Sequence, residues 1–203
     1  YTYTPQGIGA GEFALAVLSP TIQFAGRSAE FAGDLVIDGV MTEVKAKQSS
    51  GGRFQDARKA KFNQRAVEAA FKAAGFDTDT VKSVTAIKFV KDIRGTIDPK
   101  NLPGLAEVII SGAFAYMEKG EVSQLKNAII SGDANQIRHE WGLLSFTNYK
   151  RMSNFDAMLL LDGPKAHSLF FNEAVDVSGV LSTKAVQLYG SEQTVHPQME
   201  FVI

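Results

Sequence analysis

Short strand-like runs and longer helix-like runs of apolar residues divide this chain. Residues 31–48 hold two runs rich in β-branched side chains on either side of Asp38-Gly39, a pair that favours a two-residue hairpin turn. Ala10–Leu18 has a helical composition and is followed by Ser19-Pro20, which ends a helix. Apolar residues then recur with a helical period in four further segments: 55–74, 105–119, 122–130 and 134–151.

Strand patterns return in the last quarter of the chain. Residues 155–171 predict a second hairpin that turns at Asp162-Gly163-Pro164, and short strands are predicted at 185–189 and 198–203. Residues 81–90 fit a helix or a strand equally well. The order of elements predicts one α/β or α+β domain over residues 1–203, in which helices flank a mixed β-sheet.

Composition narrows the class of protein. The 203 residues are 45% hydrophobic and 21% charged, enough for one substantial core. Cysteine is absent, so any metal must be held by oxygen or imidazole ligands. No apolar run approaches the roughly 20 residues of a membrane-spanning helix, so we expect no membrane contact and a cytoplasmic location. The chain begins at Tyr1 without methionine, as a fragment or a processed product does.

Positive charge is concentrated immediately after the first hairpin. The window from Lys45 to Arg65 has a net charge of +6, although the whole chain has a net charge of −1. A local positive field on a mildly acidic body suits a polyanionic partner that approaches one face.

The first hairpin brings acidic residues together. A two-residue turn at Asp38-Gly39 places Asp34 opposite Glu43, with Lys45 on the same face. Like charges directly opposite each other destabilise a strand pair, whereas a divalent cation between them would turn the repulsion into coordination. The other face receives apolar residues and Thr42, and we expect it to be the core side: Leu35, Ile37, Val40, Thr42, Val44 and Ala46.

The segment from Gly33 to Lys45 resembles the PD-(D/E)XK nuclease superfamily, in which an acid at a strand start is followed by acid-x-lysine on the next strand. Gly33 stands where the pattern has proline. The resemblance implies a restriction-endonuclease-like core, with the motif in residues 11–65, a helical elaboration at about 105–151 and a C-terminal hairpin and strands at about 155–203. The spacing Gly-Asp-x4-Gly-x3-Glu-Val-Lys also resembles that of phage proteins.

The same resemblance implies an activity, the hydrolysis of DNA phosphodiesters, by an endonuclease rather than an exonuclease. Mg²⁺, or Mn²⁺ in its place, would be bound by Asp34 and Glu43, and Lys45 would activate or position the attacking water. By analogy, Glu12 on the preceding helix and the backbone carbonyl of Val44 would join the metal site. Residues of the basic segment would contact DNA: Lys47, Arg53, Lys59, Lys61 and Arg65.

Each of these assignments has a plainer alternative. Glu12 is also explained as an acid that stabilises the start of a helix, and Lys45 as a solvated strand lysine. The main alternative for the whole chain is an inactive nuclease-fold module that serves DNA binding, virion assembly or another protein assembly. A homodimer and a location in the host cytoplasm or in a virion are further expectations of a phage nuclease.

Overall fold

A computed structural model of the chain gives its architecture. The structure describes the following residues: 10–25, 34–46, 69–70, 72–75, 94–162, 167–173, 181–185 and 198–201. The predicted helix at 55–74 is described only in its last part, where residues 69–70 and 72–73 are helical. The segment 81–90 and the predicted turn at Asp162-Gly163-Pro164 lie largely or wholly outside the described residues.

Helices flank a mixed sheet, which confirms the predicted α/β class. The elements are α1 (Ala10–Leu18), β1 (Ile22–Phe24), β2 (Leu35–Ile37), β3 (Val40–Ala46), α2 (Leu102–Ala113), α3 (Ser123–Ser131), α4 (Ala134–Ser153), β4 (Ala157–Asp162), β5 (His167–Phe171), β6 (Leu181–Ala185) and β7 (Gln198–Phe201). Strands β1 to β5 form one sheet in chain order, and β6 pairs with β7. Only β3 and β4 are parallel neighbours; the other adjacent strands are antiparallel.

The β2–β3 hairpin has the predicted turn and register. Asp38 and Gly39 both have positive φ, +50° and +83°, which is the backbone of a type I′ turn. Leu35 pairs with Thr42, and Ile37 pairs with Val40. β3, the second strand of this hairpin, is the central strand of the five-stranded sheet.

The helices build a core of their own beside the sheet. Trp141 of α4 is 1% exposed and meets Phe114 edge to face at 4.9 Å between ring centroids. Apolar residues of α2 and α3 surround this pair, among them Leu105, Ile109, Leu125 and Ile129. None of the described helices is both long and apolar enough to cross a membrane.

Several predicted boundaries differ from the observed ones for local reasons. α2 spans Leu102–Ala113 rather than 105–119, because Pro103 is favoured in the first helical turn and starts the helix earlier. α4 continues two residues beyond the predicted end, to Ser153, and Asn154 caps it in the left-handed conformation. The short strand β1 had no pattern that predicted it. In the last quarter, β6 lies at Leu181–Ala185, and the predicted strand at 185–189 lies outside the described residues beyond Ala185.

Candidate active site on the central strand

The polar face of β3 lies under α4. α4 is joined to β4 by three residues, and β4 is parallel to β3, so α4 runs antiparallel to β3. Asp156 in this connection fastens the start of the two strands, since its N–H donates to Met41 O at 2.9 Å and its carboxylate accepts from Met41 N at 3.2 Å. The last turns of α4 are therefore held over Glu43.

Glu43 is a buried carboxylate. It is 3% exposed, and its partner on β4 is Met158, which is fully buried. Two groups donate to the same oxygen, Glu43 Oε1: the Tyr149 hydroxyl from α4, and Lys45 Nζ at 2.5 Å. A charge of this kind is tolerated in a core only when it is paired and hydrogen-bonded. Burial on this face departs from the expectation that only the face of Leu35 and Thr42 is a core side.

Lys45 is held between a carboxylate and an aromatic ring. Its Nζ lies 5.1 Å from the centroid of the Tyr149 ring, within cation–π distance, and its side chain keeps 24% exposure. Tyr149 is itself fixed by an edge-to-face contact with Phe155 at 5.3 Å. The ammonium group of Lys45 is consequently anchored from one side and open to solvent on the other.

Asp34 ends the hairpin ladder instead of continuing it. Its N–H donates to Thr42 O at 3.0 Å, so both Leu35 and Asp34 meet Thr42. Its carboxylate oxygen Oδ2 then accepts from the backbone N–H of Val44 at 2.9 Å. The predicted position directly across from Glu43 is thus shifted by the extra bond to Thr42, and the carboxylate reaches the β3 backbone just past Glu43.

The pKa of Asp34 reflects its burial and the acidic groups around it. Burial first, and then the neighbouring charge of Glu43, raise the pKa of Asp34 from its ordinary value of 3.8 to about 7. The hydrogen bond from Val44 opposes this rise, Glu12 adds to it, and Lys45 weakly opposes it. Among the described residues, the charges of Glu43 and Glu12 thus act on Asp34 against that of Lys45.

This donor set fits a hard divalent cation. Among the described residues, no hydrogen bond reaches Asp34 Oδ1 or Glu43 Oε2, so each carboxylate has an oxygen available beside the one that the protein uses. Carboxylate oxygens with water and phosphate are the usual ligands of Mg²⁺. The excess negative charge around Asp34 is what a cation would relieve.

The remaining predicted site residues have different positions. Glu12, in the first turn of α1, influences Asp34 electrostatically. Within the described part of the chain, however, no three acidic or histidine side chains lie close enough to hold one ion together. The contact of Val44 that the structure describes is made by its N–H, not by its carbonyl. The predicted DNA-contacting residues lie outside the described residues: Lys47, Arg53, Lys59, Lys61 and Arg65.

Tyr149 is the site residue that the sequence did not reveal. It lies 106 residues after Glu43 and belongs to a helix whose tyrosine has no motif around it. The helical pattern predicted a buried face for α4 but not which strand that face covers.

Comparisons of this chain with family models, with curated proteins and with solved structures give no match.

Proposed function

We propose that this chain is a divalent-metal-dependent deoxyribonuclease whose sheet is a restriction-endonuclease-like core, with Asp34, Glu43 and Lys45 at its active centre. The observation that carries the proposal is the convergence of two carboxylates and a lysine on the central strand. Lys45 Nζ is 2.5 Å from Glu43 Oε1, and the Asp34 carboxylate binds the Val44 N–H between them along the strand. The mixed sheet with flanking helices is compatible with the fold that the motif implies.

Each residue has a defined task in this mechanism. Asp34 Oδ1 and Glu43 Oε2 would hold Mg²⁺ or Mn²⁺, with Glu12 acting through its charge or through a water molecule. A bound ion supplies positive charge that polarises the phosphate and acidifies a nearby water. Lys45 positions that water and, as an ammonium group, offsets the negative charge that develops on the phosphate oxygens. The water oxygen bonds to phosphorus and gives up a proton to solvent, while the ester P–O bond breaks and the departing oxygen takes up a proton from solvent.

Tyr149 is a positioning residue in this mechanism. Its hydroxyl occupies Glu43 Oε1, which leaves Oε2 as the oxygen that faces away from the hydrogen-bonded pair. Groups that orient a metal ligand in this way affect metal affinity even though they do not touch the ion. Tyr149 is 3% exposed, so packing in the core holds its hydroxyl against Glu43 and keeps the Glu43 carboxylate in this orientation.

The experiment is cleavage of supercoiled, linear, single-stranded and branched DNA in Mg²⁺ or Mn²⁺. Lys45→Ala should lower the cleavage rate roughly 100-fold or more, the usual scale for a group that stabilises charge in the transition state. Glu43→Gln should do the same through loss of the metal. Glu107→Gln and Lys126→Ala are matched controls, because they remove an exposed ion pair of 2.6 Å between α2 and α3 and should leave cleavage unchanged.

One observation favours a second candidate, an inactive nuclease-fold module. Lys45 and Tyr149 both donate to Glu43 Oε1, and a purely structural buried ion pair would have the same arrangement. Such a module predicts no cleavage of any of the four DNA forms, and no rise in melting temperature when Mg²⁺ or Mn²⁺ is added. That pair of results would replace the nuclease proposal with this one.

A further inference from the structure

Arg138 on α4 is an arginine that has no hydrogen bond or ion pair with the described residues. Its Nε atom is buried and has no hydrogen bond, and no ion pair of Arg138 exists among the described residues. Buried donors in folded proteins are almost always satisfied, so a lone one needs an explanation. The residue as a whole is only half-buried, and its two Nη groups have no hydrogen bond to a described residue.

Arg138 lies on the same face of α4 as Tyr149. The two residues are eleven positions apart, which is within about 20° of three full helical turns and about 16 Å along the axis. Between them on this face are Gly142 and Ser145, both buried. The face that begins over Glu43 thus continues through two buried small residues to Arg138, which is half-buried.

The direction of α4 decides where this arginine is found. Because α4 runs antiparallel to β3, a step from Tyr149 back to Arg138 is a step from Glu43 past Lys45 and beyond the carboxyl end of β3. Arg138 therefore lies past the carboxyl end of β3, about 16 Å along the helix from Tyr149. No described acid neutralises it there.

We propose that Arg138 binds a backbone phosphate of the DNA substrate, a few nucleotides from the phosphate that is cleaved. A guanidinium presents parallel N–H donors that match two phosphate oxygens, and a phosphate would satisfy the donors that the protein leaves unpaired. This inference rests on the proposed function, since it takes DNA as the substrate.

The test is DNA binding in the Lys45→Ala protein, measured by fluorescence anisotropy with a labelled duplex and the corresponding single strand, in Mg²⁺ over a series of salt concentrations. Arg138→Ala should weaken binding roughly tenfold and reduce the slope of log affinity against log salt by about one. Arg151→Ala is the matched control. It removes the same charge from the same helix, but its guanidinium is already paired with Glu121 at 2.6 Å.

Equal effects of the two arginine substitutions, or no effect of Arg138→Ala, would overturn the inference. Loss of an unsatisfied buried donor should not lower the melting temperature, so Arg138→Ala is expected to fold. If it does not, Arg138→Lys serves instead: it should keep the salt slope and lose part of the affinity, and unchanged affinity would count against a bidentate contact. Arg138-dependent binding without cleavage refutes the proposed catalysis alone, whereas cleavage without Arg138 dependence refutes this inference alone.

Discussion

The hydroxyl of Tyr149 donates a hydrogen bond to Glu43 Oε1 and so joins α4 to the central strand of the sheet. The bond is buried at both ends, since the two residues are each 3% exposed. It links parts of the chain that are 106 residues apart, and it decides which oxygen of Glu43 is left for a ligand.

Tyr149→Phe tests this relationship. The variant keeps the ring that packs on Phe155 and carries the Lys45 ammonium, but it removes one of two donors to a buried carboxylate. We expect the free energy of unfolding to fall by roughly 1–3 kcal/mol in urea titrations. The Mn²⁺ concentration for half-maximal cleavage should rise about tenfold or more, as for other groups that orient metal ligands.

The matched control is Tyr116→Phe, at a half-buried tyrosine on the loop between α2 and α3. It makes the same chemical change away from Glu43 and should leave the Mn²⁺ dependence as it is. A Tyr149→Phe protein that loses stability but keeps the wild-type Mn²⁺ dependence would show a role in folding only.

The sequence predicted the positions of Glu43 and Lys45 but not that of Asp34, and the difference has a physical cause. The positions of Glu43 and Lys45 followed from local rules, because a two-residue turn and the two-residue period of a strand fix which side chains share a face. Asp34 departed from its expected place because its N–H bonds to Thr42 O, and one such bond at a ladder end is beyond what a pattern specifies.

Tertiary packing accounts for the rest. The polar face of β3 was not expected to be buried, since only the position of α4 reveals that Tyr149 and Met158 enclose Glu43 there. A contact over 106 residues depends on the parallel pairing of β3 with β4, which neither strand encodes by itself. Arg138 is a similar case, because its missing partner is visible only after α4 is folded.

The pH dependence of stability is expected to reveal Asp34. Its pKa in the folded protein, about 7, is above its ordinary value of 3.8, so the folded state holds this proton more tightly than the unfolded chain does. The stability that results is present below about pH 4 and is lost as the pH rises to about 7. Without metal, Asp34→Asn should therefore be more stable than the wild type at pH 8, and the difference should shrink towards pH 4.

Urea unfolding of both proteins between pH 4 and pH 8 measures that difference, and groups that titrate equally in the two proteins cancel. The stabilisation given by added Mg²⁺ should grow over the same pH interval in the wild type, because the ion competes with the proton for Asp34. A constant difference between wild type and Asp34→Asn across this interval would contradict the raised pKa.

Replacing the glycine of the hairpin turn with alanine should lower the stability of the protein, whereas the same replacement at a helical glycine should raise it. Gly39 has φ of +83°, and an added Cβ there would meet nothing within 4 Å, so Gly39→Ala suffers only from the backbone conformation and should cost about 1 kcal/mol. Gly104 in α2 has equally open surroundings without positive φ, and Gly104→Ala should stabilise by about 0.5–1 kcal/mol. Melting temperatures of the two single variants test both signs. A Gly39→Ala protein as stable as the wild type would mean that the positive φ of Gly39 does not contribute to the turn that pairs Leu35 with Thr42.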